Sequence, residues 1–303
     1  MIVAGAAVQG TGHLAAGQGC QDAFKAVGPG ALKAVGPGAA TVLAVADGAG
    51  GRERSALGAH IAVDTACRVL AEDVPVSGDS PETWTRWTAA AGARVVAEYL
   101  RTVTALLETT VPAHPADAPH APHADVGALA ATLAAAVVRF PWVAFVSVGD
   151  CFGTVLTRET DGAGAGDGPG RRAPAGADTG RDSGTEQCHL VLPPPGSGSP
   201  GPVFLSSPGA ALRVRSFVVW EPELSGVVLA TDGCAALTLD HPSVRGLPPE
   251  AGPLPSARFF CGLAATLRAN GGDAEPLRAL LSGPGAARTG DDLTVLCALV
   301  DGE

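Results

Sequence analysis

Four aspartates lie at the ends of four separate apolar segments of this 303-residue chain. Asp47 follows TVLAVA, Asp150 follows VAFVSVG, and Asp232 follows GVVLAT. Asp291, with a second aspartate after it, comes directly before LTVLCALV. In an antiparallel sheet the end of one strand lies beside the start of its neighbour, so these four side chains can gather at one edge.

Carboxylates that lie close together indicate a cation site. They repel one another, so that either some of them stay protonated or bound cations neutralise them. A cluster of oxygen ligands without histidine or thiolate favours Mg²⁺ or Mn²⁺ over zinc. The alternative for each aspartate by itself is a plain turn, because Asp-Gly is a common turn sequence.

Apolar periodicity predicts the elements that position these aspartates. Strands are expected at residues 2–8, 41–46, 142–148, 203–206, 214–220, 226–230 and 293–300. Helices are expected at about 55–70, with Ser55 as the N-cap, and at about 81–110, 125–139, 256–269 and 273–282. Because most links between strands are too short for parallel crossovers, the pattern predicts an α+β fold with largely antiparallel sheets.

Composition narrows the functional class. Hydrophobic residues make up 46% of the chain and charged residues 17%, which is enough for a substantial core. The net charge of −10 and the absence of any Lys/Arg run argue against a nucleic-acid partner. No apolar run is long enough to span a bilayer, and the start of the chain lacks the basic segment of a signal peptide. Seven widely spaced cysteines predict neither a disulfide framework nor a zinc site, so a reduced, cytoplasmic protein without a membrane partner is expected.

The whole chain, residues 1–303, is expected to form one domain with three flexible insertions. Residues 112–124 are rich in Pro, Ala and His, and residues 159–187 are rich in Gly and nearly free of hydrophobic side chains. Residues 193–202 read PPPGSGSPGP, which is typical of a linker. None of these segments can add much to a core.

Five short segments, in order along the chain, resemble the signatures of the type 2C metal-dependent protein serine/threonine phosphatases. They are CQDAF (20–24), VADGAGG (45–51), SVGDC (147–151), ATDG (230–233) and GDDLTVL (290–296). Each match alone is weak, but five matches in order span nearly the whole chain. The opening segment and the long C-terminal half are most similar to a bacterial branch of that family.

The resemblance implies a four-layer α-β-β-α sandwich, in which two antiparallel sheets lie face to face between helices. It also implies hydrolysis of phosphoserine and phosphothreonine on proteins, in opposition to a Ser/Thr kinase. The nucleophile would be a water that bridges two Mn²⁺ or Mg²⁺ ions. No phosphoenzyme on a serine or cysteine would be required.

The resemblance also implies the ligands of the two ions. Asp47 would bridge them, and the backbone carbonyl of Gly48 would bind the second ion. Asp232 and Asp291 would hold the first ion. The metal-bound water that attacks phosphorus would therefore be held by these three aspartates.

Three further residues have implied or candidate roles. Asp22 would act mainly through metal-bound waters. Asp150 would form a weaker third metal site together with Asp232. His13 is a candidate for proton transfer or phosphate binding, although a lone histidine in such a segment is more often structural.

Three positions depart from the family pattern. Gln21 stands where many members have Glu, Gly17 where many carry a phosphate-binding Arg, and Ala49 where some members have His. Arg52 and Arg54, just after the Asp-Gly motif, are candidates for the missing phosphate contact. The alternative for both is a solvated loop arginine.

These departures leave two alternative functions open. The chain could be a pseudophosphatase that keeps the fold and acts by binding a partner. Retention of Asp47, Asp232 and Asp291 argues against that alternative, because a decayed site would have lost some of its ligands. The chain could also act on a small phosphorylated molecule instead of a protein.

Overall fold

The computed structural model describes residues 1–28, 40–110, 125–158, 186–195 and 201–300. Its strands are β1 (Ile2–Val8), β2 (Ala23–Val27), β3 (Thr41–Ala46), β4 (Leu133–Arg139), β5 (Trp142–Val148), β6 (Phe152–Arg158), β7 (Glu186–Leu192), β8 (Arg215–Trp220), β9 (Leu224–Ala230), β10 (Leu239–Asp240), β11 (Leu254–Pro255) and β12 (Leu293–Leu299). Its α-helices are α1 (Thr11–Ala15), α2 (Ser55–Leu70), α3 (Pro81–Thr110), α4 (Ala235–Thr238), α5 (Ala257–Ala269) and α6 (Glu275–Leu281).

The long strands form two five-stranded sheets in which every neighbouring pair is antiparallel. The first sheet has the order β1-β12-β9-β6-β7, and the second has the order β2-β3-β4-β5-β8. β10 and β11 form a small separate pair. The predicted α+β fold with antiparallel sheets is confirmed.

Three buried clusters show how the sheets and helices are layered. Side chains of α2 and α3 cover the outer face of the second sheet. Side chains of α5 and α6 cover the outer face of the first sheet. The third cluster lies between the sheets and joins Leu43 and Val45 of β3 to Leu229 and Leu296. The order helix, sheet, sheet, helix confirms the four-layer sandwich that the family resemblance implies.

Burial on both faces explains why β3 reads as a continuous apolar run. Leu43 and Val45 belong to the cluster between the sheets, whereas Val42 and Ala44 belong to the cluster under the helices. All six residues of β3 are buried. Because neither face of the strand meets water, no polar position is needed until Asp47 ends it.

The predicted helix at 125–139 is wrong. The structure has a short 3-10 helix, Val126–Leu129, followed by β4. The alanine-rich sequence of β4 has high helix propensity, but the segment pairs with β3 and β5 and is buried on both faces. Periodicity cannot separate such a short apolar run from a buried helix, so tertiary pairing decided the outcome.

Two smaller predictions are also wrong. Residues 203–206 do not form a strand. Residues 204–207 close a turn, in which the Phe204 N–H donates to Ser207 Oγ (3.0 Å) and the Ser207 N–H donates to the Phe204 carbonyl (2.9 Å). Ser55 is the first residue of α2, and the N-cap position belongs to Arg54. The other predicted strands and helices are found to within two residues at each end.

The three predicted insertions fall largely outside the described residues. Residues 112–124 and 159–185 lie outside them, as do residues 196–200 of the third segment. The second segment ends two residues earlier than predicted. The reason is that Glu186, the first residue of β7, already pairs with Arg158.

The helix α3 has 30 residues and is anchored on the second sheet by tryptophan packing. Trp84 is fully buried, and its ring stacks on Trp142 of β5 with the centroids 5.6 Å apart. Trp84 Nε1 donates to the Val76 carbonyl (3.2 Å), and Trp142 Nε1 donates to the Ser77 carbonyl (3.0 Å). No described helix, α3 included, is long and apolar enough to cross a bilayer.

Replacing Trp84 by alanine should strongly destabilise the protein, because the change opens a cavity between α3 and the second sheet. We expect the free energy of unfolding, measured by urea denaturation, to fall by about 3 to 5 kcal/mol. Trp220→Ala is the control, because Trp220 is 57% exposed and its removal should cost less than about 1 kcal/mol. Equal losses for the two variants would contradict this packing.

Candidate metal centre

The aspartates at the strand ends gather where the two sheets meet. Asp47 follows β3 of the second sheet, whereas Asp232 follows β9 and Asp291 precedes β12 of the first. β9 and β12 are antiparallel neighbours, so the end of one lies beside the start of the other. Asp22 and Asp150 complete the group. Each of the four other carboxylates raises the pKa of Asp47, so the five side chains form one electrostatic cluster.

The backbone of Asp47 is held by Thr132, just before β4. The Asp47 N–H donates to Thr132 Oγ1 (3.2 Å), and the Thr132 N–H donates to the Asp47 carbonyl (2.8 Å). Burial, and then the charges of Asp22 and Asp232, raise the pKa of Asp47 to about 10. Burial and neighbouring charge thus both favour the neutral form of the Asp47 carboxyl when no cation is bound.

Asp22 is the most deeply buried of the five. Its carboxylate accepts a hydrogen bond from Thr231 Oγ1 (2.8 Å), and Thr231 lies directly after β9. Burial raises the pKa of Asp22 to about 7, and the hydrogen bond from Thr231 limits that rise. Thr231 therefore ties the segment that carries Asp22 to the first sheet.

Asp232 and Asp150 carry raised pKa values for similar reasons. Burial, and then the charges of Asp150 and Asp291, raise the pKa of Asp232 to about 6. Burial also raises the pKa of Asp150, and the opposite charge of Arg215 works against that rise. The Oδ1 atom of Asp150 is buried and has no hydrogen-bond partner among the described residues. An unpaired carboxylate oxygen of this kind can be satisfied by a cation.

Arg215 of β8 braces the turn that carries Asp150. Its Nε donates to Ser147 Oγ (3.1 Å), its Nη2 to the Gly149 carbonyl (3.2 Å), and its Nη1 to the Pro193 carbonyl (2.7 Å). Pro193 follows β7, so one side chain links the two sheets beside the cluster. The sequence contained no signal for this role, because the arginine lies within a strand and outside every motif.

Gly48 occupies a position where no side chain fits. A Cβ atom there would lie 2.6 Å from the Ser55 carbonyl oxygen and 3.0 Å from the Gln21 carbonyl oxygen. The Gly48 N–H donates to the Gln21 carbonyl (3.1 Å). No donor in the described part of the chain reaches the carbonyl oxygen of Gly48, which is therefore available to a cation.

Asp292 has a role that the sequence analysis missed. Its side chain is buried, and the Gly10 N–H donates to Oδ1 (2.6 Å) while the Gln21 N–H donates to Oδ2 (2.5 Å). His13 Nδ1 lies 2.9 Å from Oδ2 but makes no hydrogen bond of good geometry. One carboxylate thus clamps both ends of residues 10–21, the N-terminal loop, to the start of β12. The only signal in the sequence was the doublet of adjacent aspartates.

The donor set fits a divalent cation bound through oxygen. Buried carboxylates that raise one another's pKa are relieved when a cation neutralises them. Within the described ranges, no group of three or more His, Cys, Asp or Glu side chains is close enough together to hold a metal ion. The carboxylates therefore affect one another through their charges without forming a compact ligand group. The ligand roles stay predictions for Asp22, Asp47, Gly48, Asp150, Asp232 and Asp291.

Three cysteines surround the aspartates, and none of them is a thiolate at neutral pH. Cys151 is fully buried, with its Sγ atom 3.2 Å from Thr132 Oγ1. Burial raises the pKa of the Cys151 thiol and of the Cys234 thiol, and it raises the pKa of Cys20 to about 12. Protonated thiols are poor nucleophiles and poor metal ligands, which leaves the oxygen atoms as donors.

The structure explains why glycine stands at position 17, where many family members have Arg. Gly17 has a φ of +68°, in the left-handed region, where an arginine would be strained.

The other positions that depart from the family pattern, or could compensate for it, lie around the Asp-Gly motif. Ala49 is buried, and its N–H donates to the Ala130 carbonyl (2.9 Å). Arg52 and Arg54 are exposed, and neither is among the main charges that shift the aspartate pKa values. A phosphate contact from either arginine stays a prediction.

In the presence of a chelator, Asp232→Asn should stabilise the protein at neutral pH. The raised pKa of Asp232 means that the folded parent loses stability as pH rises from about 4 to about 6, and the variant cannot show that loss. The stability difference between variant and parent should therefore grow from near zero at pH 4 to about 2 kcal/mol at pH 7.5, measured by urea denaturation. Glu250→Gln, at an exposed carboxylate, is the control. If the stability difference between variant and parent does not change with pH, the stabilisation does not come from the charge of Asp232.

Asp292→Ala should loosen the N-terminal loop, because two buried backbone N–H groups lose their acceptor. We expect a loss of about 2 to 4 kcal/mol in the free energy of unfolding and faster hydrogen exchange at Gly10 and Gln21. Asp292→Asn, which keeps one acceptor oxygen, should lose about half as much. Unchanged exchange at both amides in the alanine variant would show that the clamp is not formed.

A family model described as "Protein phosphatase 2C" matches residues 9–164, just over half of the chain. That range contains Asp22, Asp47 and Asp150. No curated protein sequence matches this chain.

Solved structures resemble this one over nearly the whole length. The serine-threonine phosphatase 2C from Toxoplasma gondii is 14% identical with a TM-score of 0.54, and the match covers 99% of this chain and 94% of that one. A bacterial serine phosphatase is 9% identical with a TM-score of 0.52, covering 100% and 99%. The serine/threonine phosphatase Stp1 from Staphylococcus aureus is 11% identical with a TM-score of 0.50, covering 100% and 96%. These likenesses show the fold, and together with the family model they establish that this chain belongs to the protein phosphatase 2C family.

Proposed function

We propose that this protein hydrolyses phosphoserine and phosphothreonine on proteins in a reaction that depends on Mn²⁺ or Mg²⁺. The observation that supports this most strongly is the electrostatic cluster that Asp47 forms with four other buried or half-buried aspartates, carried by the segments that resemble the family's metal motifs. Buried carboxylates that face one another are costly unless a ligand neutralises them. Family membership makes a phosphate ester the substrate that such a centre would serve.

Two cations would be held by the centre of the cluster. Asp47 would bridge them, with the Gly48 carbonyl on one side. Asp232 and Asp291 would complete the other side. When bound, the cations supply a water that is nucleophilic at neutral pH and stabilise negative charge on the phosphoryl oxygens.

The remaining aspartates would support this centre from its edge. Thr231 holds the carboxylate of Asp22 in place, and from there Asp22 would order water around the ions. Arg215 braces the turn of Asp150, whose unpaired Oδ1 atom would serve a weaker third ion together with Asp232. Both residues would act by positioning and by charge, not as nucleophiles.

Water is the nucleophile that this arrangement favours. The thiols next to the cluster have raised pKa values, so a covalent phosphocysteine would require a thiolate that is scarcely populated at neutral pH. The cellular setting belongs to the same proposal: a phosphorylated protein as substrate, an opposing Ser/Thr kinase, a cytoplasmic location, and no nucleic-acid or membrane partner. The net charge of −10 supports the exclusion of nucleic acid.

Phosphate release from para-nitrophenyl phosphate and from a phosphothreonine peptide should require added Mn²⁺ or Mg²⁺ and stop with excess EDTA. Asp232→Asn should lower turnover by several orders of magnitude, whereas Glu250→Gln should retain the activity of the parent. Full activity in EDTA would contradict the proposal. An inactive parent that binds Mn²⁺ in calorimetry would favour the pseudophosphatase. Turnover of small phosphate esters without any turnover of phosphopeptides would favour a small-molecule substrate.

A further inference from the structure

Two cysteines meet at the contact between α5 and β7, which is the strand at one edge of the first sheet. The Cys261 thiol of α5 donates to the carbonyl of Glu186, the first residue of β7 (3.3 Å). Cys188 lies two residues further along β7, and its thiol donates to the carbonyl of Pro255, just before α5 (3.9 Å). The two thiols therefore lie in one short stretch of the same interface.

An ion pair beside the two cysteines shows which face of β7 looks toward α5. Glu186 Oε1 lies 3.0 Å from Nη1 of Arg268, so the Glu186 side chain is turned to the helix. Side chains two residues apart in a strand point to the same side, which places the side chain of Cys188 on the helix side as well. Cys261 precedes Arg268 by about two helical turns, so both project from one face of α5. Both sulfur atoms thus lie between the strand and the helix.

The two thiols are close enough to act on each other's ionisation. Burial raises the pKa of Cys188 to about 12, and Cys261 adds to that rise. Burial, and then the charge of Glu186, raise the pKa of Cys261, whereas Cys188 works against that rise. For the other five cysteines, no second cysteine is among the main groups that shift the pKa.

Both thiols of the pair can also be reached from solvent. Cys188 and Cys261 are partly exposed, and so is Cys20, whereas the remaining four cysteines are buried. Burial, and then the charge of Asp292, raise the pKa of Cys20 to about 12. A thiol reagent in solution can therefore reach three cysteines of the folded protein, and only two of these are neighbours.

A metal site is the alternative use of two adjacent thiols. A structural zinc ion takes four ligands from Cys, His, Asp or Glu side chains. In the part of the chain that the structure describes, no such group of three or more stands close enough to hold an ion. The carboxylate of Glu186 is already bound by Arg268 and by Ser225 Oγ. The pair thus lacks the further ligands that zinc needs, which leaves the chemistry of the two sulfur atoms with each other.

We propose that Cys188 and Cys261 form a reversible disulfide bond when they meet a small-molecule disulfide such as oxidised glutathione. The Cys261 thiolate attacks one sulfur of the small disulfide, forms a mixed disulfide and releases one small thiolate. The Cys188 thiolate then attacks the Sγ atom of Cys261, which closes the bond and releases the second small thiolate. Two electrons pass to the small disulfide, and the two protons that the cysteines lose end on the two released thiolates. In a reducing compartment such a bond is transient and responds to oxidising conditions.

The bond would act on stability and not on the metal centre. Cys188 pairs with Leu156, which pairs with Gly226 near the start of β9, whereas Asp232 follows the end of that strand. A bond between residues 188 and 261 closes a long loop and restricts the unfolded chain, so it should raise Tm. The inference does not depend on the proposed function.

The test incubates the folded protein with oxidised glutathione at pH 8.5. The protein is then unfolded in iodoacetamide, digested and mapped by mass spectrometry. We expect one disulfide bond, between Cys188 and Cys261, and alkylation of the other five cysteines. The Tm of the oxidised protein should be about 5 to 10 °C higher than that of the reduced protein, and dithiothreitol should reverse the rise.

Two serine variants separate this pair from the third partly exposed thiol. Cys20→Ser should show the same rise in Tm on oxidation as the parent. Cys188→Ser should show no rise, and it should accumulate a glutathione adduct on Cys261, because the second attack is no longer possible.

The mapping of the parent decides the inference even if a variant does not fold. Alkylation of both Cys188 and Cys261 after oxidation would overturn it, and so would a bond from either residue to Cys20. An equal rise in Tm for Cys188→Ser would assign the stabilisation to a different cysteine.

Discussion

Buried negative charge between the two sheets is the constraint on which the rest of this structure depends. The packing that makes the sandwich stable also buries Asp22 and half-buries Asp47, and the charge of Asp22 adds to the raised pKa of Asp47. The hydrogen bond from Thr231 lowers the cost of burying the charge of Asp22. The remaining charge has no counterpart within the cluster, so a bound cation would relieve it.

Asp291 and Asp292 show how position separates two identical side chains. Successive residues at the start of a strand point to opposite sides. The charge of Asp291 raises the pKa of Asp47. The side chain of Asp292 instead accepts hydrogen bonds from the backbone N–H groups of Gly10 and Gln21. The carboxylate of Asp291 accepts only the N–H of Asp292 (2.9 Å) among the described residues. The carboxylate of Asp292 is satisfied by the protein, and it holds the loop that leads to Asp22.

Close backbone approach explains why glycine follows two of the aspartates. A Cβ atom at Gly233 would lie 2.1 Å from the Asp292 carbonyl oxygen, and one at Gly48 would lie 2.6 Å from the Ser55 carbonyl oxygen. Any side chain would push the loops apart and widen the cluster. The glycines after Asp47 and Asp232 therefore allow two backbone segments to approach closely, in addition to forming turns.

The sequence by itself determined the family motifs and most of the long elements, although it did not predict β6 and β7. Strands such as β3 and β12, buried on both faces, leave continuous apolar runs, and the aspartates at their ends stand out for that reason. Only the tertiary structure decided that the alanine-rich β4 is a strand, because pairing with β3 and β5 outweighed its helix propensity. It alone also revealed the roles of Arg215 and Asp292. A hydrogen bond between residues 282 positions apart, such as that from Gly10 to Asp292, leaves no local pattern to detect.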